Sequence, residues 1–100
     1  MTPYYAVIFT SKKKNSDPAY NQMAELMESL AVQQDGYMHH DSAKNEIGIT
    51  VSYWKSLESI SKWKSQLDHQ TAQKLGRDNW YEWYNVRICK VEREYEFEKK

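Results

Sequence analysis

The sequence predicts an α+β fold with elements in the order β-α-β-β-α-β, an antiparallel four-stranded sheet carrying two helices. Three observations predict it. Three stretches are rich in β-branched and aromatic residues, and a fourth, more polar one lies between turn signals. Two longer stretches repeat apolar residues every three or four positions, as an amphipathic helix does. Turn signals separate them: Asp35-Gly36, Lys44-Asn45 and Gly76. One hundred residues are read as one domain, residues 1–100, with a single core.

Tyr4 to Thr10 (YYAVIFT) reads as the first strand, apolar at nearly every position and so expecting cover on both faces. SKKKNSD is a loop. Asp17 suits a helix cap and Pro18 the first helical position. Tyr20, Met23, Ala24, Met27, Leu30 and Ala31 then form one helical stripe, which should stop near Gln34. Tyr37 to Ala43 (YMHHDSA) is a more polar strand, and Ile47 to Trp54 (IGITVSYW) a clear one. In the latter, Ile47, Ile49, Val51 and Tyr53 share one face and Gly48, Thr50, Ser52 and Trp54 the other. Gly48 in mid-strand points to a close neighbour or a ligand.

Ser56 caps the second helix, with Glu58 in its first turn. Leu57, Ile60, Trp63, Lys64 and Leu67 carry its stripe, the Lys64 stem snorkelling, and Gly76 ends it. The last strand is expected from about Trp83 to Phe97, with Tyr84, Val86 and Ile88 on one face. Beyond Cys89 the apolar phase flips to Val91, Tyr95 and Phe97, the mark of a bulge. The order is that of a ferredoxin-like split βαβ unit. Two helices cover one face of such a sheet, yet the strands are apolar on both. A second copy is the economical cover, sheet against sheet, and the long last strand has the reach to pair with it.

Composition excludes several classes. Fourteen basic residues balance fourteen acidic ones, so no field draws the chain to nucleic acid or anionic lipid. No apolar run approaches a membrane span, and the charges of the N-terminal stretch follow its apolar part, the reverse of a signal peptide. The single Cys89, read as a buried inert thiol, excludes an intrachain disulfide and fits a reducing, cytoplasmic setting.

The stretch from Trp63 to Tyr84 (WKSQLDHQTAQKLGRDNWYEWY) is exceptional. It holds three of the four tryptophans, with Tyr81, Tyr84, His69 and Arg77. Together with GITVSYW before it and NVRICKVEREYEF after it, this stretch resembles the antibiotic biosynthesis monooxygenase (ABM) family, which is similar in fold to the dimeric α+β barrel proteins. Trp54, Trp63, the His69–Gln73 run, Gly76-Arg77 and Trp80-Tyr81 carry the resemblance. It implies a homodimer whose two sheets form a barrel, with one pocket per subunit between sheet and helices. It also implies oxidation of phenolic or anthrone-type aromatics by molecular oxygen without metal or flavin. Haem-binding relatives carry a histidine about ten residues after the helix tryptophan and an asparagine on the first strand. Here the first position is Gln73 and the first strand has no asparagine, so neither haem nor another cofactor is expected.

Each candidate residue has a plainer reading beside it. Trp63 is either core or a pocket wall stacking on a planar substrate. Trp54, Trp80 and Tyr84 are substrate-binding candidates or parts of a hydrophobic plug. His69 is the candidate general base. At 100° per residue it falls opposite Ile60, Trp63 and Leu67, so it faces solvent unless the helix ends near Asp68. Arg77 clamps an anionic substrate or makes a salt bridge with the acidic tail. His39 and His40 are adjacent in a strand and point to opposite faces, so they cannot share one metal, and no metal is expected. Two functions remain: a cofactor-independent monooxygenase of a small planar aromatic, or a non-catalytic dimeric domain that binds a small molecule or a partner.

Overall fold

The computed structural model describes residues 3–13, 18–74 and 81–99, without the side chains at 13, 18–24, 70–74 and 81. The elements follow the expected order: β1 (Tyr4–Lys13), α1 (Pro18–Val32), β2 (Tyr37–Lys44), β3 (Gly48–Trp54), α2 (Leu57–Lys74) and β4 (Tyr81–Val91). They form one antiparallel four-stranded sheet in the order β2-β3-β1-β4. Asp17, Gly76, Arg77 and Trp80 lie outside the described residues.

Local chemistry explains the boundaries. Pro18 opens α1, where its fixed φ suits the helix and its missing N–H costs nothing. Ser56 caps α2: its Oγ accepts from the Ser59 N–H at 3.1 Å, satisfying one donor that the helix leaves unpaired. Between α1 and β2 the Tyr37 N–H reaches the Gln34 carbonyl, and Lys55 N–H donates to Gly36 O at 2.7 Å. Gly36 is buried against Ser59, where a Cβ would collide with that side chain. Its role is close approach to the start of α2.

Cross-strand register sorts the residues into two faces. Tyr5, Val7, Phe9 and Ser11 of β1 lie opposite Trp54, Ser52, Thr50 and Gly48 of β3, on the face that the helices cover. The core there is Val7, Ala31, Trp54, Ile60, Trp63 and Leu67. Trp54 is fully buried, edge-on to Tyr37 at 5.6 Å and 5.1 Å from the Trp63 ring, with Nε1 donating to Ser52 Oγ at 2.8 Å. Trp63 Nε1 donates to the Met27 carbonyl at 3.1 Å and so ties α2 to α1. The covered face of β3 therefore carries its small and polar residues, Gly48, Thr50 and Ser52, with Trp54 at the end. Ile49, Val51 and Tyr53 stand with Ile8 and Tyr4 on the open face.

Four details depart from expectation. The last strand stops at Val91, paired with Tyr4, because β1 offers no residues beyond that point. The β1–β4 register shift falls at Lys12/Lys13, and the ladder is regular through Cys89, so the phase flip marks the end of the sheet. Cys89 is exposed, on the sheet face opposite the one that α1 and α2 cover. Leu57 is exposed, and Lys64 pairs on the surface with Asp68 at 2.7 Å, one helical turn on.

Candidate functional site

Between the sheet and the two helices lies a cavity of about 240 Å³. Its floor is built from ladder rows. One row is Lys44–Gly48–Ser11, the next Ser42–Thr50–Phe9, the third His40–Ser52–Val7. Met27, Glu28 and Ala31 of α1 and Trp63 of α2 form the roof, and Tyr37 closes the end beside Trp54. Lining surface is mostly apolar along Val7, Phe9, Met27, Ala31 and Trp63. Polar groups gather at the ends: Tyr37, His40 and Glu28 near Trp54, and Ser42, Thr50 and Lys44 toward the β2–β3 turn. Ser42 Oγ and Thr50 Oγ1 are hydrogen-bonded at 3.0 Å.

A local irregularity assembles the first of these ends. Tyr37 pairs with Trp54, but His39 already pairs with Tyr53, so Met38 is an extra residue in β2. In a regular strand, positions three apart point to opposite faces. The bulge brings Tyr37 and His40 to the same face. Tyr37 Oη lies 2.5 Å from His40 Nδ1, and Glu28 Oε1 lies 3.7 Å from His40 Nε2. Burial, and then the negative charge of Glu28, raise the Tyr37 phenol above its usual range, so it stays protonated at neutral pH. His39 turns the other way and stacks on Tyr53 at 4.6 Å, so the paired histidines do point to opposite faces.

The structure places the sequence candidates as follows. Trp63 lines the cavity, with 7 % of its surface exposed. Trp54 stands behind it as buried support rather than as lining. Tyr84 stacks on Phe9 at 5.6 Å, one ring back from the lining. Because α2 continues to Lys74, the turn that would carry His69 inward does not occur, and His69 is exposed. Arg77 and Trp80 lie outside the described residues. Gly48 does line the cavity. The acid–base group that sequence reasoning passed over is the Tyr37–His40 pair, whose only sequence signal was an apolar-poor strand with two histidines. Among the described residues, no group of three His, Cys, Asp or Glu side chains could hold a metal ion.

Comparison with known proteins adds the lineage. No family model matches the chain. The uncharacterised protein YqjZ of Bacillus subtilis is 47% identical over 94 residues, covering 92% of this chain and 82% of its own. A jasmonate monooxygenase named ABM, from Pyricularia oryzae, is 26% identical over 92 residues, 87% of this chain and 43% of that longer protein. The chain belongs to the same family as YqjZ, and its sequence is similar to that of the ABM monooxygenase. Among solved structures, the fold matches SnoaB, a cofactor-independent oxygenase of Streptomyces nogalater, with a TM-score of 0.66 at 9% identity over 99% of this chain and 100% of that one. At that identity the likeness speaks for the fold alone. No helix among the described residues is long and apolar enough to cross a membrane.

Proposed function

We propose that this protein is an ABM-type, cofactor-independent monooxygenase of a small, planar, electron-rich aromatic such as a phenol or hydroquinone. The observation that carries the reading is the cavity: an apolar chamber with an indole wall and a phenol–imidazole pair at one end. Chemistry of this kind asks little else of a protein. A phenol with a free para position, once deprotonated, can itself give electrons to oxygen. Phenol plus O2 gives quinone plus water, the substrate supplying all four electrons, so no external reductant enters. The protein's contribution is to bind the ring, exclude water and take up a proton. A volume of about 240 Å³ lies below the roughly 300–1,000 Å³ of drug-sized pockets and favours one or two rings over larger polycycles. SnoaB and the jasmonate monooxygenase support the reaction class, and the lone Cys89 supports a cytoplasmic setting.

The test follows oxygen uptake with phenols, hydroquinones and anthrones, metals chelated and no flavin added. Uptake above the spontaneous rate is expected for at least one class. Trp63→Phe keeps the packing but gives up part of the indole face, and should weaken substrate binding roughly two- to tenfold. Substrates that quench tryptophan fluorescence without oxygen uptake would reduce the protein to a binding domain.

The same reading takes the working unit to be a homodimer joined through the open sheet face. Ile49 is exposed there beside Val51 and Tyr53, and Asn85 Oδ1, on that side of β4, is buried with no hydrogen-bond partner among the described residues. Tyr95 and Phe97 on the tail are 85% and 88% exposed, apolar groups that a partner sheet would cover. Sedimentation equilibrium at micromolar concentration should give twice the chain mass, and Val51→Glu should return the monomer. A wild-type chain that stays folded and monomeric would sink the dimer.

A further inference from the structure

The His40 ring sits between two partners, hydrogen-bonded to one of them. Nδ1 faces the Tyr37 hydroxyl at 2.5 Å and Nε2 faces Glu28 at 3.7 Å. The Nδ1 lone pair, the one a base would use here, is thus already taken by Tyr37, although the side chain lines the cavity. Tyr37 lines the cavity beside His40, and its hydroxyl oxygen keeps a lone pair to offer while its hydrogen is given to Nδ1. We infer that Tyr37, His40 and Glu28 form a proton relay in which Tyr37 is the residue that touches the substrate, and that the substrate presents an ionisable hydroxyl to it. This rests on the monooxygenase reading and names the group its substrate must carry.

The relay runs in one direction. With His40 neutral, Tyr37 O–H donates to Nδ1, which requires the ring hydrogen to sit on Nε2, facing Glu28. The substrate O–H breaks as its proton passes to Tyr37 Oη. The proton Tyr37 already held passes to Nδ1, breaking that O–H and forming an N–H. The substrate is left as its anion and His40 as an imidazolium beside the Glu28 carboxylate. Tyr37 never becomes a phenolate, in keeping with a phenol held protonated by burial and by Glu28. Glu28 is a positioning residue: it selects the tautomer in which Nδ1 is the acceptor and balances the charge that forms. Trp54, edge-on to the Tyr37 ring, holds the phenol in place.

The experiment needs no turnover. p-Nitrophenol is titrated into the full chain without oxygen, at a pH below its own ionisation, and binding is followed by tryptophan quenching while ionisation is followed by the phenolate absorbance. The wild type should bind the dye as its anion. Tyr37→Phe should bind it with the phenolate band lost. Glu28→Gln should keep the band but lower the ionised fraction about two- to fivefold, as for a partly exposed charge pair. Nitrogen NMR of the unliganded wild type should show the His40 hydrogen on Nε2. Dye bound in neutral form by the wild type, a band that survives in Tyr37→Phe, or a ring hydrogen on Nδ1 would each overturn the relay. Failure of the monooxygenase reading shows separately, as absence of oxygen uptake from a protein that still ionises the dye.

Discussion

Replacing Trp54 with Ala is expected to cost about 3–5 kcal/mol of folding stability, the largest effect of any single truncation in this core. The side chain has no exposed surface. It joins the sheet to α2 through the Trp63 ring and backs the Tyr37 ring, so both lose their contact at once. Its Nε1–H also satisfies the buried Ser52 hydroxyl, which would be left without that donor. A domain of this size has roughly 5–15 kcal/mol in total, so the loss approaches the whole margin. Urea unfolding should show a much lower midpoint at an unchanged slope, and Trp54→Phe should recover most of the difference. A loss below about 1 kcal/mol would mean that the core closes over the gap, contrary to the close packing of such interiors.

His40→Gln is expected to lower the rate of oxygen uptake by roughly 10²- to 10⁴-fold, the range for removing a positioned general base. Glutamine keeps a polar group near the Tyr37 hydroxyl but cannot accept the proton for good. The side chain is about a quarter exposed, at 26%, so the fold should survive, and circular dichroism with an unchanged unfolding midpoint would show that it has. The loss should fall on kcat, with KM little changed, because the ring binds along Trp63 and the apolar wall rather than through the imidazole. His69→Gln provides the contrast. His69 is exposed on α2 away from the cavity lining, so an equal loss there would place the base on the helix and not on the strand.

Much of the architecture was legible because it is local. Pro18 and Ser56 start helices by satisfying or dispensing with backbone donors, a property of the residue itself. Ile60, Trp63 and Leu67 recur at the helical period, so their burial follows from spacing. Leu57 shares that spacing and is exposed, as the first residue of α2, where one side of the helix end is open. The Tyr95–Phe97 tail read as strand because its composition is that of one. Pairing, however, needs a neighbour, and β1 ends opposite Val91. Cys89 departs for a related reason: an apolar strand suggests burial, while burial depends on which face is covered.

What the sequence determined by itself is the order of elements, the Ser56 cap, the helix face that carries Trp63 and the opposite aims of His39 and His40. These follow from backbone periodicity and from hydrogen bonds between near neighbours. What only the tertiary structure decided is which face of the sheet the helices cover, and where the extra residue in β2 falls. Periodicity sorts Thr50 and Ser52 from Ile49 and Val51 but does not say which set meets the helices; here the small polar set does, and that leaves room for a cavity. No Gly or Pro marks Met38 as the bulge, because the slip is set by pairing β2 against β3 over the whole ladder. That slip of one residue puts Tyr37 on the same face as His40, and Glu28 arrives from a helix that neither strand encodes.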